Sequence, residues 1–140
     1  MNRDSMPSNP QFTLTITPTP ADIDALGHVN NAVWVRWMED VATAHWGAVA
    51  SPAHIAAYVW VVVRHEIDYA GNVTLGQPVT ARTWISDPAK GARFNRNMEF
   101  TGPDGKVKVK SITTWALLDR ASGRIVRVPR DVSDPFFKDK

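Results

Sequence analysis

The segment Asp22-Ile-Asp24-Ala-Leu-Gly27-His28-Val-Asn30-Asn31 gathers two carboxylates, a glycine, a histidine and two asparagines just ahead of an apolar-faced helix. The first turn of a helix leaves backbone N–H groups without partners and carries a partial positive charge, so it can hold an anion or polarise a carbonyl. A carboxylate beside such a turn can activate water or attack an electrophile. Both needs of acyl hydrolysis are therefore met in one stretch: amides from Val29 to Asn31 for the developing oxyanion, and Asp24 as base or nucleophile. Gly27 is expected to adopt a backbone conformation closed to residues with a Cβ, letting the loop pass close to a ligand. His28 is placed to orient the loop or donate to the bound group. The same residue types also make an ordinary helix cap and turn, so residue types alone leave both readings open.

The elements that must position this segment follow from periodicity. Gln11 to Thr17 alternates Phe12, Leu14 and Ile16 with polar residues, as a half-buried strand does, and Pro18 and Pro20 end it. From Asn31 to Val49 the period becomes helical, with Trp34, Trp37, Met38, Val41, His45 and Ala48 on one face and Arg36, Glu39, Asp40 and Thr43 opposite. Asn30 or Asn31 is the natural N-cap, and Ser51 and Pro52 close the helix. Tyr58 to Tyr69 reads as the longest strand and the central one, because Val59 to Val63 is an unbroken apolar run. Pro78 to Ser86, Arg93 to Thr101 and Val107 to Asp119 follow as strands, joined by links short enough for antiparallel hairpins. Arg124 to Val128 is a short final strand or an extended tail stopped by Pro129. One apolar-faced helix between a first strand and several antiparallel strands is an α+β pattern, in which a curved sheet wraps around the helix.

Composition excludes several classes. At 140 residues the chain is expected to form one domain over 11–140, with a polar, proline-bearing N-terminal tail over 1–10 that lacks the apolar run of a signal peptide. No apolar stretch approaches the roughly 20 residues of a membrane helix, and a cytoplasmic location is the simplest expectation. A net charge of +2 with scattered Lys and Arg is too mild for a nucleic-acid surface. Without cysteine there is no thiolate nucleophile, disulfide or thiolate zinc site, and no cofactor is called for. His45 and His65 fall on apolar parity and are expected as hydrogen-bonded core residues. No metal spacing unites the histidines, His54 shows no partner, and no serine sits in a Gly-x-Ser-x-Gly elbow.

The Asp22 to Asn31 motif, followed by Trp34, Arg36, Trp37 and Glu39, resembles the opening of the 4-hydroxybenzoyl-CoA thioesterase-like family of hotdog-fold acyl-CoA thioesterases. Arg64-His-Glu-Ile-Asp-Tyr69 with Val73 to Val79, and Trp115 to Val128, extend the likeness over nearly the whole domain. The resemblance implies that Asp24 is the catalytic carboxylate and that the helix start polarises the thioester carbonyl. It brings in His28 and Asn31 as motif residues, and Glu39 because some hotdog thioesterases use a helix glutamate. Gly27, Val29, Asn30 and Trp34 are the expected substrate contacts, with Trp34, Trp37 and Trp60 candidates to narrow an acyl pocket. Related acyl-ACP thioesterases of the plant type carry Asn where this chain has Leu26, so acyl-CoA is favoured over acyl-ACP as substrate. Arg82, Lys90, Arg93 and Arg96 are candidates for the CoA phosphates by charge alone.

Two other functions compete. Hotdog hydratases resemble one another in an Asp and a His separated by a longer loop with Asn-Pro, whereas only three residues separate Asp24 from His28. A non-catalytic acyl-thioester-binding module would use the Asp24 loop only as a cap. Family members pair sheet to sheet with sites between protomers, which implies a homodimer or homotetramer.

Overall fold

The computed structural model describes residues 10–137, so the tail expected over 1–10 falls almost wholly outside the described residues. Five strands form one antiparallel sheet in the order β1-β3-β4-β5-β2, with β1 at Gln11–Ile16, β2 at Tyr58–Tyr69, β3 at Val79–Trp84, β4 at Arg93–Thr101 and β5 at Val107–Asp119. The hairpins β3–β4 and β4–β5 are those their short links require, and β1 and β2 close the two sides.

Helix α1 (Asn31–Val49) lies across the concave face. It starts where Asn30 turns its side-chain oxygen back to accept from the Ala32 amide at 2.8 Å. Its buried residues are Val33, Trp34, Trp37, Met38, Val41, Ala42 and His45. Ala48, read as part of that face, is exposed near the helix end. The buried stripe packs on Val79, Ala81, Met98, Phe100 and Val109 of the sheet. A helix buried in a curled antiparallel sheet is the hotdog arrangement.

One sequence expectation is corrected. Strand β2 is not central: among the described residues it pairs only with β5, and its other edge is open. The apolar run that suggested burial on both faces is only half-buried, and Val63 is 44% exposed. Of the two readings of Arg124 to Val128, the extended segment holds, with a single bridge joining Ile125 to Leu118. Two helical pieces were not foreseen. Helix α2 (Pro52–Ala57) begins at Ser51, whose hydroxyl accepts from the His54 amide at 3.1 Å. Helix α3 (Arg130–Ser133) and the 3-10 turn Asp134–Phe137 then bury Val132 and Phe136 against the sheet.

Candidate functional site

The residues from Asp22 to Asn31 form a tight loop whose inner bonds are nearly all made by its own chain. The Asp24 amide donates to the His28 carbonyl at 2.8 Å and the Gly27 amide to the Asp24 carbonyl at 3.0 Å. Gly27 turns the chain at φ 81°, a left-handed conformation that a side chain would strain. Asp24 Oδ1 accepts from the amides of Leu26 at 2.9 Å and His28 at 3.2 Å. Its other oxygen, Oδ2, holds no hydrogen bond to a described residue, and Asp24 is half-exposed. The His28 side chain is exposed, and Leu26 projects from the tip with 82% of its surface free.

Two clamps hold the loop. Asp22 is buried, with Oδ2 accepting from the Thr19 amide at 2.9 Å and the Thr19 hydroxyl at 3.1 Å, while Oδ1 accepts from Arg36 of α1 at 2.8 Å. The Thr19 amide and the Arg36 guanidinium hold the Asp22 carboxyl below its ordinary value, against the opposing pull of burial. The second clamp is Asn72, which the sequence reading missed. Its side-chain oxygen accepts from the Val29 amide at 3.1 Å and the Val73 amide at 2.9 Å, and its amide nitrogen donates to the Val29 carbonyl at 3.3 Å. Nothing local marks Asn72 in the sequence, because its partner lies in a distant loop.

A folded-state pKa held low adds stability that is present above the unfolded carboxylate value near 4 and is lost as pH falls through the folded value. Asp22→Asn should therefore cost about 1–2 kcal/mol at pH 7, the Arg36 side being largely solvated. The gap to the parent protein, measured by urea unfolding, should narrow progressively below pH 4. A gap of equal size at pH 7 and pH 3 would show that the charge of Asp22 is not its source.

The helix-start amides are narrowed by these bonds. The Val29 amide is engaged by Asn72 and by the Val73 carbonyl, the Asn30 amide donates to the Asp22 carbonyl at 3.0 Å, and the Ala32 amide is capped by Asn30. The Asn31 amide alone among the four carries no hydrogen bond to a described residue. The Asn31 carbonyl accepts from the Tyr69 hydroxyl at 3.5 Å, which ties the helix start to the far end of β2.

Other expected site residues fall elsewhere. Val29 is 1% exposed, so its side chain belongs to the core. Trp34 is fully buried, edge-on to Trp37 and Phe100 at 5.1 and 5.4 Å between ring centres, and is a core residue, not a pocket wall. Glu39 stands two turns along α1, half-exposed, with Oε2 3.6 Å from His65 Nε2. His65 Nδ1 in turn lies 2.8 Å from the Thr113 hydroxyl, so this pair sits apart from the Asp24 loop. His54 has a partner, Asp131 at 3.3 Å. Among the described residues no group of three or more His, Asp or Glu side chains could hold a metal ion, and no helix is long and apolar enough to cross a membrane.

Arg96, named as a candidate for CoA phosphates, cannot serve them from the surface: it is 6% exposed on the inner face of β4. The signal was present in the sequence, since Arg96 shares strand parity with Phe94, Met98 and Phe100. It borders a cavity of about 170 Å³ between the second half of α1, β2 and β4. Arg82 is paired with Glu99 at 2.5 Å, whereas Lys90 and Arg93 are exposed.

No curated protein matches the chain. Among solved structures, a predicted thioesterase from Bacillus stearothermophilus is similar at 24% identity and a TM-score of 0.80, over 91% of this chain and 94% of that one. A thioesterase from Thermus thermophilus complexed with coenzyme A and zinc is similar at 24% identity and a TM-score of 0.76, over 89% and 90% of the two chains. A hypothetical protein from Staphylococcus aureus in complex with CoA is similar at 20% identity and a TM-score of 0.79, over 91% and 82%. These likenesses share the fold described above. The profile of the thioesterase-like superfamily matches residues 18–136, most of the chain. With the hotdog fold and the Asp22 to Asn31 loop set at the start of its buried helix, the chain belongs to the thioesterase-like superfamily.

Proposed function

We propose that this thioesterase hydrolyses an acyl-CoA, with Asp24 as general base and the Asn31 amide as the donor that polarises the thioester carbonyl. The observation that carries the reading is the pairing of a carboxylate oxygen and a helix-start amide, both unengaged, in a loop where nearly every other group is bonded. Asp24 Oδ2 takes a proton from water, the water oxygen bonds to the carbonyl carbon, and the C–S bond breaks as Asp24 returns the proton to the leaving sulfur, which releases the free acid and the CoA thiol. The exposure of Ala25 to His28 supports water as the nucleophile. Coenzyme A as the carrier is supported by its presence in the similar Thermus and Staphylococcus structures.

The site is completed by a second copy of the chain. An edge strand of twelve residues with an open ladder invites another strand, and a two-fold axis makes that pairing antiparallel. The Tyr69 end of one β2, which touches the helix start, then meets the Tyr58 end of the other. The test is release of free thiol from a panel of short, aromatic and long acyl-CoAs, together with the mass in solution by light scattering. Turnover by a dimer or a tetramer is expected. No thiol from any member of the panel would sink the activity, and a monomer that turns over would sink the shared site.

A further inference from the structure

The cavity beneath the second half of α1 has the buried guanidinium of Arg96 in its wall, among aromatic side chains. Arg96 donates through Nη1 to His45 Nδ1 at 2.8 Å and to the Thr83 hydroxyl at 2.9 Å, and its guanidinium lies 5.6 Å from the centre of the Phe136 ring. The opposite edge of that guanidinium, Nε and Nη2, holds no hydrogen bond to a described residue, and no carboxylate of the described residues pairs with it. Arg120 adds positive charge at the rim, although its own donors are turned to the carbonyls of Ile55, Ala56 and Tyr58.

A guanidinium buried among aromatic rings, with no carboxylate of the described residues beside it, is costly, since an ion removed from water loses several kcal/mol of solvation. Burial lowers Arg96 to about 9, which leaves it charged at neutral pH. The Nε and Nη2 edge is the side of an arginine that takes a carboxylate in two parallel hydrogen bonds. The volume, about 170 Å³, suits a group the size of one benzene ring or an alkyl segment of like bulk.

The cavity cannot serve the catalytic loop of its own protomer for so compact a group. Thr43 and Trp46 in its wall lie 12 to 15 residues along α1 from Asn31, roughly 18–22 Å at 1.5 Å per residue. Tyr58 and Val59 in its wall, however, form the end of β2 that an antiparallel partner brings against its own Tyr69 and helix start.

We infer that this cavity is the acyl subsite for the partner protomer's catalytic loop, and that Arg96 selects acyl groups whose far end is a carboxylate, the half-thioesters of short dicarboxylic acids. The inference rests on the two-protomer thioesterase reading. It is tested by comparing adipoyl-CoA with hexanoyl-CoA, which differ only in the terminal carboxylate, in the thiol-release assay. Wild-type kcat/KM should favour adipoyl-CoA at least tenfold, and Arg96→Met should cut adipoyl-CoA turnover at least ten times more than hexanoyl-CoA turnover. Equal or better turnover of hexanoyl-CoA by the wild-type protein overturns the inference, as does a ratio unmoved in a folded Arg96→Met variant. Tryptophan fluorescence supplies a readout free of both catalysis and the variant, because Trp46, Trp60 and Trp115 line the cavity. Titration of the wild-type protein with adipate should change the emission, and the uncharged hexanamide should do so only at tenfold higher concentration. If adipate binds selectively while no thioester is cleaved, the thioesterase reading fails and the cavity assignment stands. If thioesters are cleaved and adipate binds no better than hexanamide, the reverse holds.

Discussion

Replacing Asp24 by Asn should lower acyl-CoA hydrolysis about 10²–10⁴-fold, the range that a positioned general base contributes, while the melting temperature stays where it is. The separation is possible because the two oxygens of Asp24 have different duties. Oδ1 accepts from the Leu26 and His28 amides and shapes the loop, and an Asn side-chain oxygen can do the same. Oδ2 is the oxygen without a partner, and there the substitution puts an NH₂ that cannot take a proton. Asp24→Ala removes both duties and should lose the loop geometry together with the activity. Hydrolysis that persists unchanged in Asp24→Asn would dismiss Asp24 as the base and return it to the role of a loop cap. A single turnover in ¹⁸O-labelled water adds a second check, since label appearing in the carboxylate of Asp24 would mean direct attack on the thioester instead of water activation.

The largest effect on stability should come from Trp34→Ala, at about 3–5 kcal/mol, or roughly 10–20 °C of melting temperature for a domain of this size. Trp34 is fully buried, and it touches both the helix through Trp37 and the sheet through Phe100, so its loss opens a void at the centre of the helix-to-sheet contact. Trp34→Phe should cost far less. The Trp34 N–H is a buried donor without an acceptor, so the phenyl ring gives up packing area and relieves an unsatisfied group at the same time. Thermal unfolding of the two variants side by side decides the matter. A small loss for Trp34→Ala would mean that the residue lines open space and belongs to a pocket after all.

The difference between what the sequence disclosed and what it hid follows the range of the interactions. Alternation in β4 and β5 and the helical stripe from Val33 to His45 are local, and their bounds were legible to within a residue or two. The turn at Gly27 and the helix cap at Asn30 were legible for the same reason, as their bonds join neighbours. The free amide at Asn31 was not, because it becomes singular only once Asn72 and Val73, from a loop beyond β2, occupy the Val29 amide. Strand β2 was misplaced because an apolar run marks burial without saying which strands lie beside it. Trp34 was misassigned because whether an aromatic ring beside the Asp24 loop faces a ligand or a core depends on Phe100, far along the chain. Arg96 was grouped with surface cations by charge, although its parity with Phe94 and Met98 was in plain view.

The irregularity in β2 between Val62 and Arg64 also bears on how the strand varies. Ahead of it, Trp60 and Val62 face the helix opposite Leu117 and Trp115; beyond it, His65 and Ile67 do so opposite Thr113 and Ser111. Plain alternation would have carried Arg64 inward, so Val63 is the supernumerary residue that keeps the charge outside. A chain lacking that one residue would present the same inward side chains without any bulge. Loss of a single residue can thus be absorbed at this point of the strand with no change in what the helix touches, while the direction of the edge changes slightly for whatever lies alongside it.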